Sequence, residues 1–330
     1  MKELLQQLFE HRALTRVQAK EALTGIGKGA YNEHEVTAFM TVYLMRSVTI
    51  EELSGFRDAL LELCIPADLG GIDTIDIVGT GGDGKNTFNI STLACFIVAG
   101  AGQPVSKHGN YGATSISGAS NVMEQLGYTF KNDQGRLRQE VEKAGICFLH
   151  APLFHPALKT VGPIRKNLRI RTFFNMLGPM VNPALPVYQL VGVYSLEMAR
   201  IYNYLLQQDS RAFTIIHGLD GYDEISLTND TKVITREGEQ VLTPEFLGKR
   251  RVVESDLSAG QSVEEAAGIF TDILEGKGTW AQNAVVLANA AMALFSTGKY
   301  KSYEEAYAAA VESLDARKAW NAFKTLIALQ

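Results

Sequence analysis

Over roughly the first 65 residues the apolar and polar positions repeat with a helical period only. Val36, Phe39, Met40, Tyr43 and Leu44 are spaced to share one helix face. Asn32 can cap that helix, with Glu35 three residues on. Thr15-Arg16-Val17-Gln18 and Thr49-Ile50-Glu51-Glu52 have the spacing of capping boxes, in which cap and third residue satisfy each other's free N–H groups. The pattern changes near Gly70-Gly71. Thr74 to Val78 is a short β-branched run, and a glycine-rich loop follows it. Val105-Ser106 then precedes a loop and a helix around Val122 to Leu126, which Gly127 can stop. Ile146 to Leu149, Tyr188 to Tyr194 and Phe213 to Ile216 read as strands, with a helix from about Leu196 to Gln207 between the last two. Trp280 to Leu329 is Ala-rich and helical. Strands alternating with helices predict a mainly parallel sheet flanked by helices, beside a small all-α domain. The expected domains are residues 1–69, joined by part of 160–185, and residues 70–330. Between Pro156 and Pro183 the chain turns basic and then loop-like; it either returns to the helical domain or lines a cleft.

The composition narrows the function classes. A formal charge of -5 over 330 residues argues against a general nucleic-acid binder, but leaves room for an anionic substrate held by local basic residues. Cys64, Cys95 and Cys147 are widely spaced among apolar residues, which fits buried reduced thiols rather than a disulfide framework or a zinc site. Met1 to Leu5 begins an amphipathic helix rather than a signal peptide, and the apolar stretch from Ala94 to Gly102 is far short of the ~20 residues of a membrane span. The expectation is a soluble cytoplasmic protein.

The glycine loop reads Gly79-Thr80-Gly81-Gly82-Asp83-Gly84-Lys85-Asn86. It satisfies the dinucleotide pattern G-x-G-x-x-G through Gly79, Gly81 and Gly84 and almost satisfies the P-loop pattern through Gly79, Gly84 and Lys85, but its context supports neither. Asn86 stands where a P-loop needs a hydroxyl for Mg²⁺, and the helix begins too late, near Ser91, for a dinucleotide fold. A different phosphate site fits better. Asn89-Ile90-Ser91-Thr92 puts an amide and two hydroxyls at a helix start, where unpaired N–H groups and the helix dipole favour anions. Asp83 suits a ribose hydroxyl better than a phosphate. Lys107-His108-Gly109-Asn110 follows the next strand and offers a point charge and an amide. Loops at the carboxyl ends of parallel strands converge on one crevice. His217 to Glu224 follows another strand, and its adjacent carboxylates Asp223 and Glu224 repel each other, which makes them a natural site for Mg²⁺. His108, His150, His155 and His217 lack metal-ligand spacing and read as packing or hydrogen-bonding residues.

Taken in order, these loops resemble those of the anthranilate phosphoribosyltransferase family. The resemblance continues through His155-Pro156-Ala157, Arg165-Lys166, Arg171-Thr172, Phe174 to Pro179, Asn182-Pro183 and Asp223-Glu224, and so covers about the whole chain. It implies a small helical domain, a larger nucleoside phosphorylase/phosphoribosyltransferase-like α/β domain, a homodimer, and a substrate cleft between domains. It also implies site residues. Phosphoribosyl pyrophosphate would be held by Gly79, Gly82, Asp83, Thr87, Asn89, Ile90, Ser91, Thr92, Lys107, His108, Gly109, Asn110, Ser115 and Ala119. Anthranilate would meet Gly79, Asn110 and Arg165, and Mg²⁺ would meet Ser91, Asp223 and Glu224. The chain departs from the family pattern at one stretch. Tyr111-Gly112 stands where arginine and serine are usual, Ile116 and Ala119 where lysine and serine are usual, and Asn121 where aspartate is usual. These changes remove charge and a hydroxyl; Ser115 and Ser117 remain as donors.

The reaction implied is displacement of pyrophosphate from the ribose by the anthranilate amine, a step of tryptophan biosynthesis, with no dedicated general base. Two rivals share the architecture. A nucleoside phosphorylase would not need the basic Arg165 segment or the full Lys107 to Asn110 loop. A nucleic-acid-binding relative would have a basic surface and lack Asp223-Glu224.

Overall fold

The computed structural model describes residues 1–112, 118–168 and 170–330. In chain order the first elements are α1 (Lys2–Phe9), α2 (Arg16–Gly27), α3 (Glu33–Met45), α4 (Ile50–Leu63), β1 (Ile75–Gly79), α5 (Ile90–Gly100), β2 (Val105–Gly109), α6 (Ala119–Gln125), α7 (Gln134–Ala144) and β3 (Ile146–His150). There follow α8 (Ala151–Phe154), α9 (Pro156–Leu168), β4 (Tyr188–Gly192), α10 (Leu196–Leu206), β5 (Ala212–Gly218), β6 (Thr231–Thr235) and β7 (Glu239–Leu242). Four helices close the chain: α11 (Val263–Leu274), α12 (Trp280–Phe295), α13 (Tyr303–Asp315) and α14 (Lys318–Ala328). The chain divides into two compact units, Met1–Pro66 with Ala151–Leu185, and Ala67–His150 with Pro186–Gln330.

In the helical unit, Thr15, Asn32 and Thr49 each form the capping box read from the sequence, with Gln18, Glu35 and Glu52 answering. The basic first part of the stretch from Pro156 to Pro183 is a helix, and the later part is irregular, as its loop-like reading expects. Pro156 opens α9, where its missing N–H costs nothing, and Pro163 is tolerated inside it. Short 3-10 turns follow at Phe173–Met176 and Gly178–Met180. The segment is bound into the unit by hydrogen bonds and aromatic packing. The Ile65 N–H donates to the Phe154 carbonyl at 2.8 Å. His155 is fully buried; burial pushes its imidazole down to about 4, while hydrogen bonds to the backbone of Val181 and Leu60 act the other way. Phe173 stacks on Phe56 at 4.5 Å and meets Tyr43 edge-on at 5.0 Å. Each such aromatic pair contributes about 0.5–1.5 kcal/mol beyond its area. The helical unit therefore ends at Pro66 rather than at 69, and takes in 151–185 rather than part of 160–185.

The other unit holds a seven-stranded sheet in the order β3-β2-β1-β4-β5-β6-β7. The five strands β3, β2, β1, β4 and β5 run parallel, and β6 and β7 are antiparallel. The helices α5 and α12 are buried along nearly their whole length, as the apolar run Leu93 to Ala99 and the Ala-rich run in α12 require. The chain steps outward from β1 to β2 and β3, then returns to lay β4 against the other side of β1. Connections on the two sides of that switch diverge, which opens a crevice at the carboxyl ends of β1 and β4. Cys95 and Cys147 are buried, Cys64 is partly so, and all three are free. No helix among the described residues is long and apolar enough to cross a membrane.

Candidate functional site

The crevice is filled by loops from β1 and β5, although β4 lies between those strands. They meet because β4 ends in glycine. A Cβ on Gly192 would stand 1.6 Å from the Asp223 carbonyl oxygen, so only a bare backbone lets the β5 loop cross there. At the end of β1 a Cβ on Gly79 would lie 2.3 Å from Asp223 Oδ2. With both side chains absent, Asp223 reaches the glycine loop and accepts a hydrogen bond from the Gly81 N–H at 2.8 Å. Glu224 turns to the start of α5, where Ser91 Oγ donates to its Oε1 at 3.2 Å.

Asp83, Asp223 and Glu224 form one cluster, each offering an oxygen within 4.8 Å of the others. Burial pushes the Asp83 carboxyl up to about 6, helped by the charge of Asp223. Burial raises Glu224 well above the carboxylate range, and Asp223 and Asp83 add to it. Among the described residues its Oε2 is buried without a hydrogen-bond partner. Three crowded carboxylates, one with an unanswered buried oxygen, are a donor set suited to a hard divalent cation such as Mg²⁺, which takes oxygen ligands. The sequence reading assigned Asp83 to a ribose hydroxyl; the structure brings it to the acidic pair.

Around the cluster, Gly82 lies within the loop and Thr87 forms an isolated bridge with Ser258. Asn89 is the N-cap residue of α5, Ile90 and Thr92 are buried in its first turn, and Ser91 faces Glu224. Lys107 and His108, read from sequence as loop residues, are instead the last buried positions of β2. Lys107 Nζ donates to the Ile77 carbonyl at 2.7 Å, and the His108 N–H donates to Asp76 Oδ1 at 3.2 Å. The ammonium is thus turned into the sheet, β2 ends at Gly109, and the loop proper begins at exposed Asn110. Ser115, with Ile116 and Ser117, lies outside the described residues.

At the departures from the family pattern the chain has its own fastening. Tyr111 Oη donates to Glu124 Oε1 at 2.7 Å, and its ring meets His150 edge-on at 4.8 Å. Asn121 Oδ1 accepts the Gly112 N–H at 3.1 Å, a bond that an aspartate there also has the oxygen to make. Ala119 begins α6. In the helical unit, Arg165 lies in the last turn of α9, with its guanidinium 5.5 Å from the Phe174 ring centre. It makes one long bond, 3.4 Å, to Asn175 Oδ1. Among the described residues it has no carboxylate partner, and burial lowers its pKa.

Sequence reasoning missed Asn289. This buried residue of α12 accepts the Ile225 N–H at 3.0 Å and donates to the Ile225 carbonyl at 2.9 Å, so it holds the backbone just after Glu224. Its signal was a lone amide inside an Ala-rich apolar helix, a position that buried polar groups occupy only when satisfied.

Known proteins share this sequence and fold. Residues 71–320 match the model of the glycosyl transferase family, a/b domain, and residues 2–64 match that of its helical bundle domain. The anthranilate phosphoribosyltransferase of Christiangramia forsetii is 55% identical over 99% of this chain and 98% of its own length. The crystal structure of anthranilate phosphoribosyltransferase from Thermus thermophilus superposes with a TM-score of 0.92 at 30% identity, covering 98% of each chain. The Saccharomyces cerevisiae enzyme in complex with PRPP and Mg superposes with a TM-score of 0.90 at 28% identity, over 98% of this chain and 96% of that one. With a helical bundle, a parallel sheet and relatives that match end to end, the chain belongs to the anthranilate phosphoribosyltransferase family.

Proposed function

We propose that the chain transfers the phosphoribosyl group of phosphoribosyl pyrophosphate to the amine of anthranilate, giving N-(5-phosphoribosyl)anthranilate and pyrophosphate in tryptophan biosynthesis. The observation that carries the reading is the convergence of the glycine loop, the start of α5 and three carboxylates at the switch point of the sheet. The loop backbone from Gly79 to Asp83, the residues Thr87 and Asn89 to Thr92, and the stretch from Lys107 to Asn110 with Ser115 and Ala119 would surround the phosphoribosyl pyrophosphate. Asp223, Glu224 and Ser91 would hold Mg²⁺, and Asp83, whose carboxylate lies in the same cluster, would join them. Bound Mg²⁺ would neutralise charge on the departing pyrophosphate. Main-chain N–H groups at the start of α5 are donors for the same charge and need no rearrangement as it develops. The attacking aromatic amine is a weak base that loses its proton readily once bonded to carbon, so no side chain is assigned as general base. Ordering the two substrates supplies the rest of the rate. Loss of anthranilate fluorescence on adding phosphoribosyl pyrophosphate and Mg²⁺ to the purified protein tests the activity directly. No loss under those conditions refutes it.

Anthranilate would be oriented by Gly79, Asn110 and Arg165. Arg165 suits the carboxylate because it lacks an acidic partner among the described residues, is partly desolvated, and presents a planar fork of donors. Charged hydrogen bonds contribute about 1.5–3 kcal/mol. Arg165→Ala is therefore expected to raise KM for anthranilate roughly 10- to 150-fold while KM for phosphoribosyl pyrophosphate changes little. An anthranilate KM within about twofold of wild type would remove Arg165 from this role.

The reading includes a homodimer formed through the helical unit, supported by exposed Phe9 on α1, Val17 on α2 and Met45 on α3, which is 86% exposed. Light scattering is expected to give twice the 36.1 kDa chain mass at micromolar concentration, and a monomer would refute it. The reading places the enzyme in the cytoplasm, where free thiols stay reduced.

A further inference from the structure

Lys85 has no part in the chemistry above, yet it stands where three pieces of the α/β unit meet. Its main-chain N–H donates to Asp83 Oδ1 at 3.0 Å. Its ammonium lies 4.5 Å above the ring of Tyr222, the residue immediately before Asp223, and donates to Glu254 Oε1 at 3.2 Å. Tyr222 is 1% exposed and its carbonyl accepts the Gly218 N–H at 2.9 Å, so the ring is a fixed platform. Beyond Lys85 the chain is joined to the segment after Glu254. Ala259 N–H donates to the Asn86 carbonyl and Phe88 N–H to the Leu257 carbonyl, both at 2.9 Å, and Asn86 Nδ2 donates to the Gly260 carbonyl at 3.1 Å.

One side chain thus couples the loop that carries Asp83 to the loop that carries Asp223 and Glu224. Two physical effects of that side chain on a divalent cation have opposite signs. As a positive charge near three carboxylates, Lys85 repels the cation. As a fastening between the loops, it keeps the carboxylates at the spacing a small cation demands and spares the cost of ordering them at binding. We propose that the second effect wins. Lys85 is a positioning residue for the cation site, and the site binds a divalent cation more tightly with Lys85 than without it. The proposal rests on the assignment of Asp83, Asp223 and Glu224 to a cation.

The test is Mn²⁺ binding by the full-length protein, read from the electron paramagnetic resonance signal of the free ion with both substrates absent. Lys85→Met keeps the stem and the main-chain bond to Asp83 but loses the charge, the Glu254 bond and the cation–ring contact. Its Mn²⁺ affinity is expected to fall about fivefold, the scale of an exposed cation–ring contact. Lys85→Arg, which restores charge and stacking, is expected to return to within about twofold of wild type. Equal or tighter Mn²⁺ binding by Lys85→Met, which loss of repulsion alone would give, overturns the proposal. If Asp223→Asn with Glu224→Gln abolishes Mn²⁺ binding while Lys85→Met does not weaken it, the cation site stands and only the role of Lys85 fails. If that double variant binds Mn²⁺ like wild type, the cation site is misplaced and the proposal falls with it.

Discussion

Replacing Asp223 with Asn and Glu224 with Gln together is expected to lower kcat/KM about a thousandfold. Both substitutions keep shape and hydrogen-bonding capacity while removing two negative charges. The charge stabilisation a bound metal supplies is several kcal/mol, and at about 1.4 kcal/mol per tenfold a loss near 4 kcal/mol is three decades. The fold is expected to survive, since the cluster is held by its surroundings: Asn289 on Ile225, Gly81 on Asp223, Ser91 on Glu224. Stability in the presence of a chelator should respond to pH in a defined direction. Asp83 is raised from 3.8 to about 6, and Glu224 is raised as well. Carboxyls with raised folded-state pKa values favour the folded protein when protonated, so that contribution is present below pH 3.8 and is lost as pH rises through about 6. Removing the neighbouring charges weakens the cause. The melting temperature of the double variant should therefore fall less than that of wild type over this range, and at pH 7 it should equal or exceed it. Near-normal turnover at limiting Mg²⁺ would refute the assignment, and an unfolded double variant would make the pair structural.

Gly192→Ala is expected to be the most disruptive single methyl in the site. The new carbon would meet the Asp223 carbonyl oxygen at 1.6 Å, and a backbone atom cannot rotate away as a side chain does. Either β4 or the 219–224 loop must move, at about 3 kcal/mol, which lowers the melting temperature by several degrees. Activity should fall with it, because the displaced residue is Asp223 itself. Gly79→Ala makes the contrasting control: its methyl meets Asp223 Oδ2 at 2.3 Å, a side-chain atom with freedom to turn. It should lose activity with a much smaller change in melting temperature. Equal melting temperatures for Gly192→Ala and wild type would show that the two loops do not approach as described.

The elements that local physics determines were legible in the sequence. The three capping boxes, the strands read at Thr74 to Val78, Tyr188 to Tyr194 and Phe213 to Ile216, and the helix read as starting near Ser91 depend on short-range spacing and apolar period, and the structure has each of them with ends shifted by at most two residues. The acidic pair was legible because adjacent carboxylates need a reason. What was not legible depends on distance along the chain. Asp83 and Asp223 are brought together by strand order, and nothing within either loop reports that β4 lies between them. Lys107 carries the composition of a phosphate anchor, yet its direction is set by a carbonyl on the neighbouring strand. The β6–β7 pair is hard to read because it is short and, in β7, largely exposed, which leaves little apolar pattern. Between Pro156 and Pro183 the sequence shows a basic run but not the helix over 156–168, because a proline ordinarily interrupts a helix, although the first of these prolines suits a helix start.

The helical unit is assembled from two stretches of chain, Met1–Pro66 and Ala151–Leu185, and this has a consequence for synthesis on the ribosome. When Pro66 emerges, α1 to α4 still lack the stacking partner of Phe56 and the backbone partner of Ile65. About 120 further residues must be made before that surface is closed at Leu185, roughly 6–24 s at elongation rates of about 5–20 residues per second. By the end of that interval β1, β2 and β3 have emerged, but β4, which pairs with β1 at the centre of the sheet, has not. Neither unit can finish as an isolated N-terminal module. The nascent chain carries two incomplete apolar surfaces at once, so the order of translation itself exposes this protein to chaperones for longer than its size alone would.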